Sequence, residues 1–404
     1  MGACLLFFLS DVNTLSTHST TYRVMIVAGE SSGDLHGSHL LKASAAKYPD
    51  VSFYGVGGSR MKANGCDILI PSDELSVMGV TEVLGRLPRI IKHFCCLAAL
   101  LKSSHPPDLL VLIDFPDFNL RLAKVAKGAG VPVLYYISPK VWAWRSGRAR
   151  TIADRVDRLA LIFPFEPEIY APYQVRTEYV GNPLLDEFAA RPQGLNIRQQ
   201  LNLSADVKIV GIFPGSRHSE LTYIFDTLMT TAKKLHEEDP CIEFVLPVAP
   251  SLRRSDLENR LAVARLPIHL VESDIYAVAA SCQAVLTVSG TVTLQLALVG
   301  TPMAIVYKVA PLSYAIGRRL IKIPFAGLPN IIAGREIVRE FIQDNAEPEA
   351  LKMEILRLLN DTSYIQQMSE DLALVQDRLG KPGCSMRVAD MIADMVCVKP
   401  EEGV

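Results

Sequence analysis

"VAGESSGDLHG", Val27–Gly37, is the stretch that decides the fold. The residues before it, "YRVMIVA", form an apolar run suited to a buried strand, and "LHGSHLLKASAAK" after it suits a helix. A strand passing through a glycine-containing turn into a helix is the opening unit of a doubly wound α/β domain. There the glycines let the backbone turn tightly, and helix N–H groups face a ligand. The spacing is not a dinucleotide fingerprint, because Gly29 and Gly33 stand four apart with Glu30 at the apex. A carboxylate at the apex would repel a pyrophosphate. The turn predicts a site for other chemistry.

Outward from that turn, strand-like runs alternate with helical patterns. The first half predicts strands at Tyr22–Ala28, Val51–Gly55, Leu109–Ile113, Val131–Ile137, Leu159–Phe163 and Thr177–Val180. A polar, irregular stretch beginning "GNPLLDEF" then suits an interdomain connection. The pattern restarts at "KIVGIFPGSR" and continues through Ile242–Val248, Ile268–Val271, Ala284–Thr287 and Met303–Val306. Such alternation predicts parallel sheets with helices on both faces. The fold class expected is α/β, two Rossmann-like doubly wound domains facing across a cleft. Residues 22–186 form the first domain and 187–396 the second, with the final helices free to pack back on the first.

Composition narrows the class. The chain has 404 residues, 49% of them hydrophobic, and a formal charge of −2, which argues for folded domains and against a broad nucleic-acid surface. The eight cysteines show no C-x-x-C spacing, so they predict reduced thiols rather than a disulfide framework or a zinc site. Residues 1–21 contain the short apolar run Leu5–Leu9 without a basic residue before it, so they predict a disordered extension rather than a secretory signal. No apolar stretch approaches the roughly 18 residues that read as a membrane span.

Ligands of such sheets bind beyond the carboxyl ends of the strands, which makes the residues after each strand the candidates. "DFPDFN" opens with Asp114, either a helix N-cap or a general base. "SPKVWAWRSGR" holds Trp142 and Trp144, which either line a sugar site or wedge a core. In the second half, Gly215 and Ser216 offer backbone donors, and Arg217 offers the planar fork that suits phosphate. Ser289, Gly290 and Thr291 lead into a helix whose N-terminus favours a diphosphate. Nothing in the sequence requires a metal: there is no D-x-D, zinc spacing or Walker loop. In "VMGVTEVLGRLPRIIKHF", Val80, Val83, Leu84, Leu87 and Ile91 recur at helical spacing among Arg86, Arg89, Lys92 and His93. Such a helix can lie in a membrane surface, although an ordinary packed helix shows the same stripe.

Together "AGESSGD", "GVGG", "VMGVTEVLGR", "IDFPDFN", "YYISPKVWAWR", "FPFE", "VGNP", "PGSR", "SGTVTLQ" and "LPNIIAGRE", in this order, resemble the lipid A disaccharide synthase family of GT-B nucleotide-sugar glycosyltransferases. The resemblance runs from about Val24 to Ile392. It implies an inverting transfer that joins UDP-2,3-diacylglucosamine to 2,3-diacylglucosamine 1-phosphate, without a cofactor or metal. It implies that Asp114 is the base and that Glu30, Ser32, Gly33 and Asp34 shape the acceptor loop. Arg217 with Gly215, Ser216 and the Ser289–Thr291 helix end would stabilise departing UDP, and Asn330 would reach the nucleotide. Relatives commonly carry Glu where this chain has Gln295, so a ribose-binding carboxylate becomes an amide here. The resemblance places the protein in the cytoplasm, peripheral on the anionic inner face of the membrane, and leaves a homodimer open. Two alternatives stay open: a GT-B transferase or epimerase for another UDP-sugar, and an inactive lipid-binding relative. A dehydrogenase is disfavoured because no G-x-G-x-x-G opens either half.

Overall fold

The computed structural model describes residues 22–75, 80–143, 147–249, 251–262, 266–320 and 323–397, and of 80–86, 218–220, 312, 313, 316 and 397 the backbone alone. The predicted extension therefore lies outside the described residues, as does Trp144. Two parallel-sheet α/β domains are present, as the alternating pattern requires. The first sheet is built from β1 (Tyr22–Ala28), β2 (Val51–Gly57), β3 (Asp67–Pro71), β4 (Leu109–Ile113), β5 (Val133–Tyr136), β6 (Arg158–Leu161) and β7 (Arg176–Tyr179), in the order β3-β2-β1-β4-β5-β6-β7. The second is built from β8 (Lys208–Phe213), β9 (Ile242–Pro247), β10 (Ile268–Val271), β11 (Ala284–Val288), β12 (Met303–Tyr307) and β13 (Glu340–Ile342), in the order β10-β9-β8-β11-β12-β13.

Both orders reverse direction beside their first strand, between β1 and β4 and between β8 and β11, which is where doubly wound sheets bind ligands. The central strands are apolar without alternation because helices cover both faces. Val24–Ala28 and Leu109–Ile113 are wholly buried. By contacts the chain divides into two units. The first takes the described chain up to Tyr136 together with Arg155–Arg158 and the segment from Met386; the second takes Ile137–Asp154 and Leu159–Ser385. Within the first unit, the last helix, Cys384–Cys397, sets Asp390 against Lys47 (2.7 Å) and the Tyr48 hydroxyl (2.7 Å).

Two strands were not predicted, β3 and β13. Both lie at sheet edges, where one side meets solvent and an unbroken apolar run is not needed. β3 begins with exposed Asp67 and ends with exposed Pro71, and β13 is three residues long.

Candidate active site

In the first unit, the register sets Ala28 opposite Ile113, so Gly29–Glu30 and Asp114 leave the sheet side by side at its carboxyl edge. Gly29 is required there: a Cβ would come within 2.4 Å of the Phe115 ring. Glu30 occupies the N-cap position of the helix Ser31–Lys47, but its side chain makes no capping bond and is exposed. Ser32 is exposed beside it, and Gly33 is buried against Ala28.

Asp114 and Phe115 both take left-handed backbone, with φ of 45° and 50°. For residues with a Cβ this costs roughly 1–2 kcal/mol each, and such strain clusters at functional sites. The Asp114 N–H donates to the Tyr136 carbonyl at 3.1 Å. The Asp114 carbonyl accepts from the Tyr135 hydroxyl at 2.6 Å and from Asn119 Nδ2 at 2.7 Å. Pro116 then starts the helix Pro116–Gly128, where its fixed φ suits the first turn. Asp114 is thus not the helix N-cap; Phe115 is, and it caps without a side-chain bond.

Asp34 acts on this loop from its buried side. Its carboxylate, expected to help shape the acceptor loop, accepts from the backbone N–H groups of Gly58 (2.7 Å), Met61 (3.0 Å) and Arg60 (3.2 Å). It anchors the "GVGG" turn and the start of the helix Ser59–Ala63, and it is nearly buried. Two turns of helix past Glu30, burial lowers the His36 imidazole to about 4, with His39 adding to the effect, so His36 is neutral at pH 7.

In the second unit, Phe213 pairs with Thr287, so the loops after β8 and β11 leave their sheet at the same edge. Gly215 has φ 96°, a conformation that favours glycine, and it turns the chain so that exposed Ser216 and Arg217 precede the helix His218–Glu238. The Ser251 hydroxyl donates to the Ser216 carbonyl at 2.5 Å and steadies this loop. After β11, the Ser289 hydroxyl donates to the Ala326 carbonyl at 2.7 Å, and nothing crowds Gly290. Exposed Thr291 is the N-cap of the helix Val292–Val299 and makes no side-chain capping bond. Half-buried Gln295 lies one turn into that helix.

Asn330 corrects an expectation. It was expected to reach the nucleotide, yet it is wholly buried and fully engaged. Its Nδ2 donates to Val338 O and to Glu340 Oε1, each at 2.7 Å, and its Oδ1 accepts from Ile337 N (2.8 Å) and Val338 N (2.9 Å). Half-buried Glu340 also accepts from Ala326 N (2.7 Å) and Gly327 N (2.8 Å), so Asn330 and Glu340 together shape the loop that meets Ser289. Sequence reasoning missed Glu340, Tyr135 and Asn119, and it missed Glu166 of "FPFE". Burial pushes the Glu166 carboxyl up to about 7, against the pull of the Phe163 and Ile162 N–H donors. Trp142 settles on the packing side of its two readings: it stands edge-on to Phe163 (5.9 Å) and Phe165 (5.3 Å).

The helix Val80–Leu101 is present with Pro88 inside it. The side chains of Val80, Val83, Leu84 and Arg86 lie outside the described residues. Leu87 is 43% and Ile91 53% exposed, so the apolar stripe reaches solvent there, whereas Leu97 and Leu101 are core. Exposed Arg89 pairs with Glu74 at 3.3 Å, and Lys92 is exposed beside it. Among the described residues no helix is long and apolar enough to cross a membrane.

Comparison with known proteins adds to this geometry. The lipid-A-disaccharide synthetase family model matches residues 24–389. The lipid-A-disaccharide synthase of Syntrophotalea carbinolica is 54% identical over 92% of this chain and 95% of its own length. That of Geobacter sulfurreducens is 44% identical over 94% and 99%. Among solved structures, a putative UDP-N-acetylglucosamine 2-epimerase from Listeria monocytogenes superposes with a TM-score of 0.64 at 14% identity, covering 95% of this chain and all of that one. The calicheamicin glycosyltransferase CalG4 gives 0.58 at 13% identity over 95% of this chain and all of its own. These two share the fold. With the family match spanning nearly all of both α/β domains, the chain belongs to the lipid-A-disaccharide synthase family of GT-B glycosyltransferases.

Proposed function

We infer that the chain transfers the sugar of UDP-2,3-diacylglucosamine to the 6-hydroxyl of 2,3-diacylglucosamine 1-phosphate. The products are the β-1,6-linked disaccharide 1-phosphate, inverted at the anomeric carbon, and UDP. In a member of this family, the observation that carries the reading is Asp114 on a clamped left-handed turn beside the Glu30 loop. Asp114 takes the proton of the acceptor hydroxyl as its oxygen bonds to the anomeric carbon. The bond from that carbon to the diphosphate breaks, and its electron pair leaves with UDP. Arg217 and the N-terminus of the helix Val292–Val299 meet the developing charge. Glu30, Ser32 and Gly33 line the acceptor side. Gly215, Ser216, Ser289, Gly290 and Thr291 line the diphosphate side, and the Gln295 amide keeps an acceptor for a ribose hydroxyl.

The test is UDP release from UDP-diacylglucosamine with and without the lipid monophosphate. Release that needs both substrates is expected. Turnover of the UDP-sugar alone would place the chain with the epimerases whose fold it shares. EDTA is expected to leave the rate unchanged, because the Arg217 guanidinium and the helix end supply the positive charge. Inhibition reversed by magnesium would overturn that account.

Both substrates carry acyl chains, and the enzyme meets them at the cytoplasmic leaflet, where UDP-sugars occur. Exposed Leu87 and Ile91 support docking through the helix Val80–Leu101. In sequence Val80, Val83 and Leu84 continue the apolar spacing with Arg86 among them, and exposed Lys92 and the Glu74-paired Arg89 supply positive charge toward anionic lipid. Each basic residue near such a surface contributes about 1 kcal/mol. Replacing Leu87 and Ile91 with Ser is expected to release the folded protein from anionic liposomes, as does added salt. Undiminished co-sedimentation of that variant would move the docking surface elsewhere.

A further inference from the structure

The left-handed turn after β4 is held from outside itself. Tyr135 in β5 and Asn119 in the helix Pro116–Gly128 are wholly buried, and both donate to the main-chain carbonyl of Asp114, at 2.6 and 2.7 Å. Asn119 Nδ2 also reaches the carbonyl of Ile113 at 3.3 Å, so one amide bridges the last strand residue and the first turn residue. Its Oδ1 is buried and accepts nothing among the described residues. An unsatisfied buried acceptor is destabilising, and an apolar side chain of similar size would fill the space without it. Asn119 is therefore retained for its donors, and these aim at the peptide that carries the Asp114 side chain.

We propose that Tyr135 and Asn119 are positioning residues for the transfer: they hold the Asp114 peptide left-handed and so aim its carboxylate at the acceptor hydroxyl. This rests on the reading of Asp114 as the base. A turn that relaxed toward the ordinary backbone regions would swing the Asp114 Cβ away, and a base misplaced by about 1 Å can lose roughly 100-fold in rate.

The full-length chain is tested by a double-mutant cycle. Tyr135→Phe keeps the ring and its packing, and is expected to lower kcat by about 10- to 100-fold with the acceptor KM and UDP affinity unchanged. In an Asp114→Asn background it is expected to add less than about twofold, because a carboxylate that is gone cannot be misaimed. Asn119→Leu should reproduce the kcat loss; if that variant does not fold, Tyr135→Phe and the cycle decide. A silent Tyr135→Phe beside an inactive Asp114→Asn overturns the clamp alone. A rise in KM instead of a fall in kcat, or an equal loss in both backgrounds, also overturns it. Near-parental turnover of Asp114→Asn removes the base reading, and the clamp's purpose with it.

Discussion

Asp114→Asn is expected to give a folded protein that binds UDP normally and turns over about 10²–10⁴-fold more slowly, the usual contribution of a general base. The substitution isolates proton transfer. The bonds that hold the turn go to the main chain of residue 114, and an amide there leaves them in place. Asn also tolerates left-handed backbone better than most side chains, so the strain does not grow. Steady-state kinetics with calorimetry of UDP binding separates the two effects. Turnover close to the parent's would put the base elsewhere.

Arg217→Ala is expected to weaken UDP binding by roughly 10- to 100-fold, the loss of about 1.5–3 kcal/mol from a charged hydrogen bond. It should slow transfer further, because charge builds on the leaving diphosphate as the bond breaks. Arg217 is exposed at the end of its loop, so truncation leaves the core of the second unit intact. Arg217→Lys should recover part of the affinity, since it restores the charge without the planar fork. Calorimetry showing unchanged UDP affinity in both variants would remove Arg217 from the site.

The parallel sheets were legible because burial on both faces leaves long apolar runs, such as Val24–Ala28 and Leu109–Ile113. The edge strands β3 and β13 were not legible, because an edge is half solvent and carries Asp67 and Glu340 without penalty. Motif spacing located the loops that hold the candidate site, but it does not tell where a side chain points. Asp34 and Asn330 have the residue types of ligand contacts, yet the Asp34 carboxylate is spent on backbone N–H groups and the Asn330 amide on backbone groups and the Glu340 carboxylate. Tyr135 and Asn119 were invisible for the converse reason. Each acts on a main-chain carbonyl, and any sequence offers one at every position.

The strained pair Asp114–Phe115 also bears on how this protein responds to selection. Glycine takes left-handed backbone without strain, so at residue 114 it would relieve roughly 1–2 kcal/mol. That substitution deletes the carboxylate. Folding and chemistry therefore pull residue 114 in opposite directions. A library sorted only for thermal resistance should enrich inactive members there, whereas one sorted for lipid product should keep the strain.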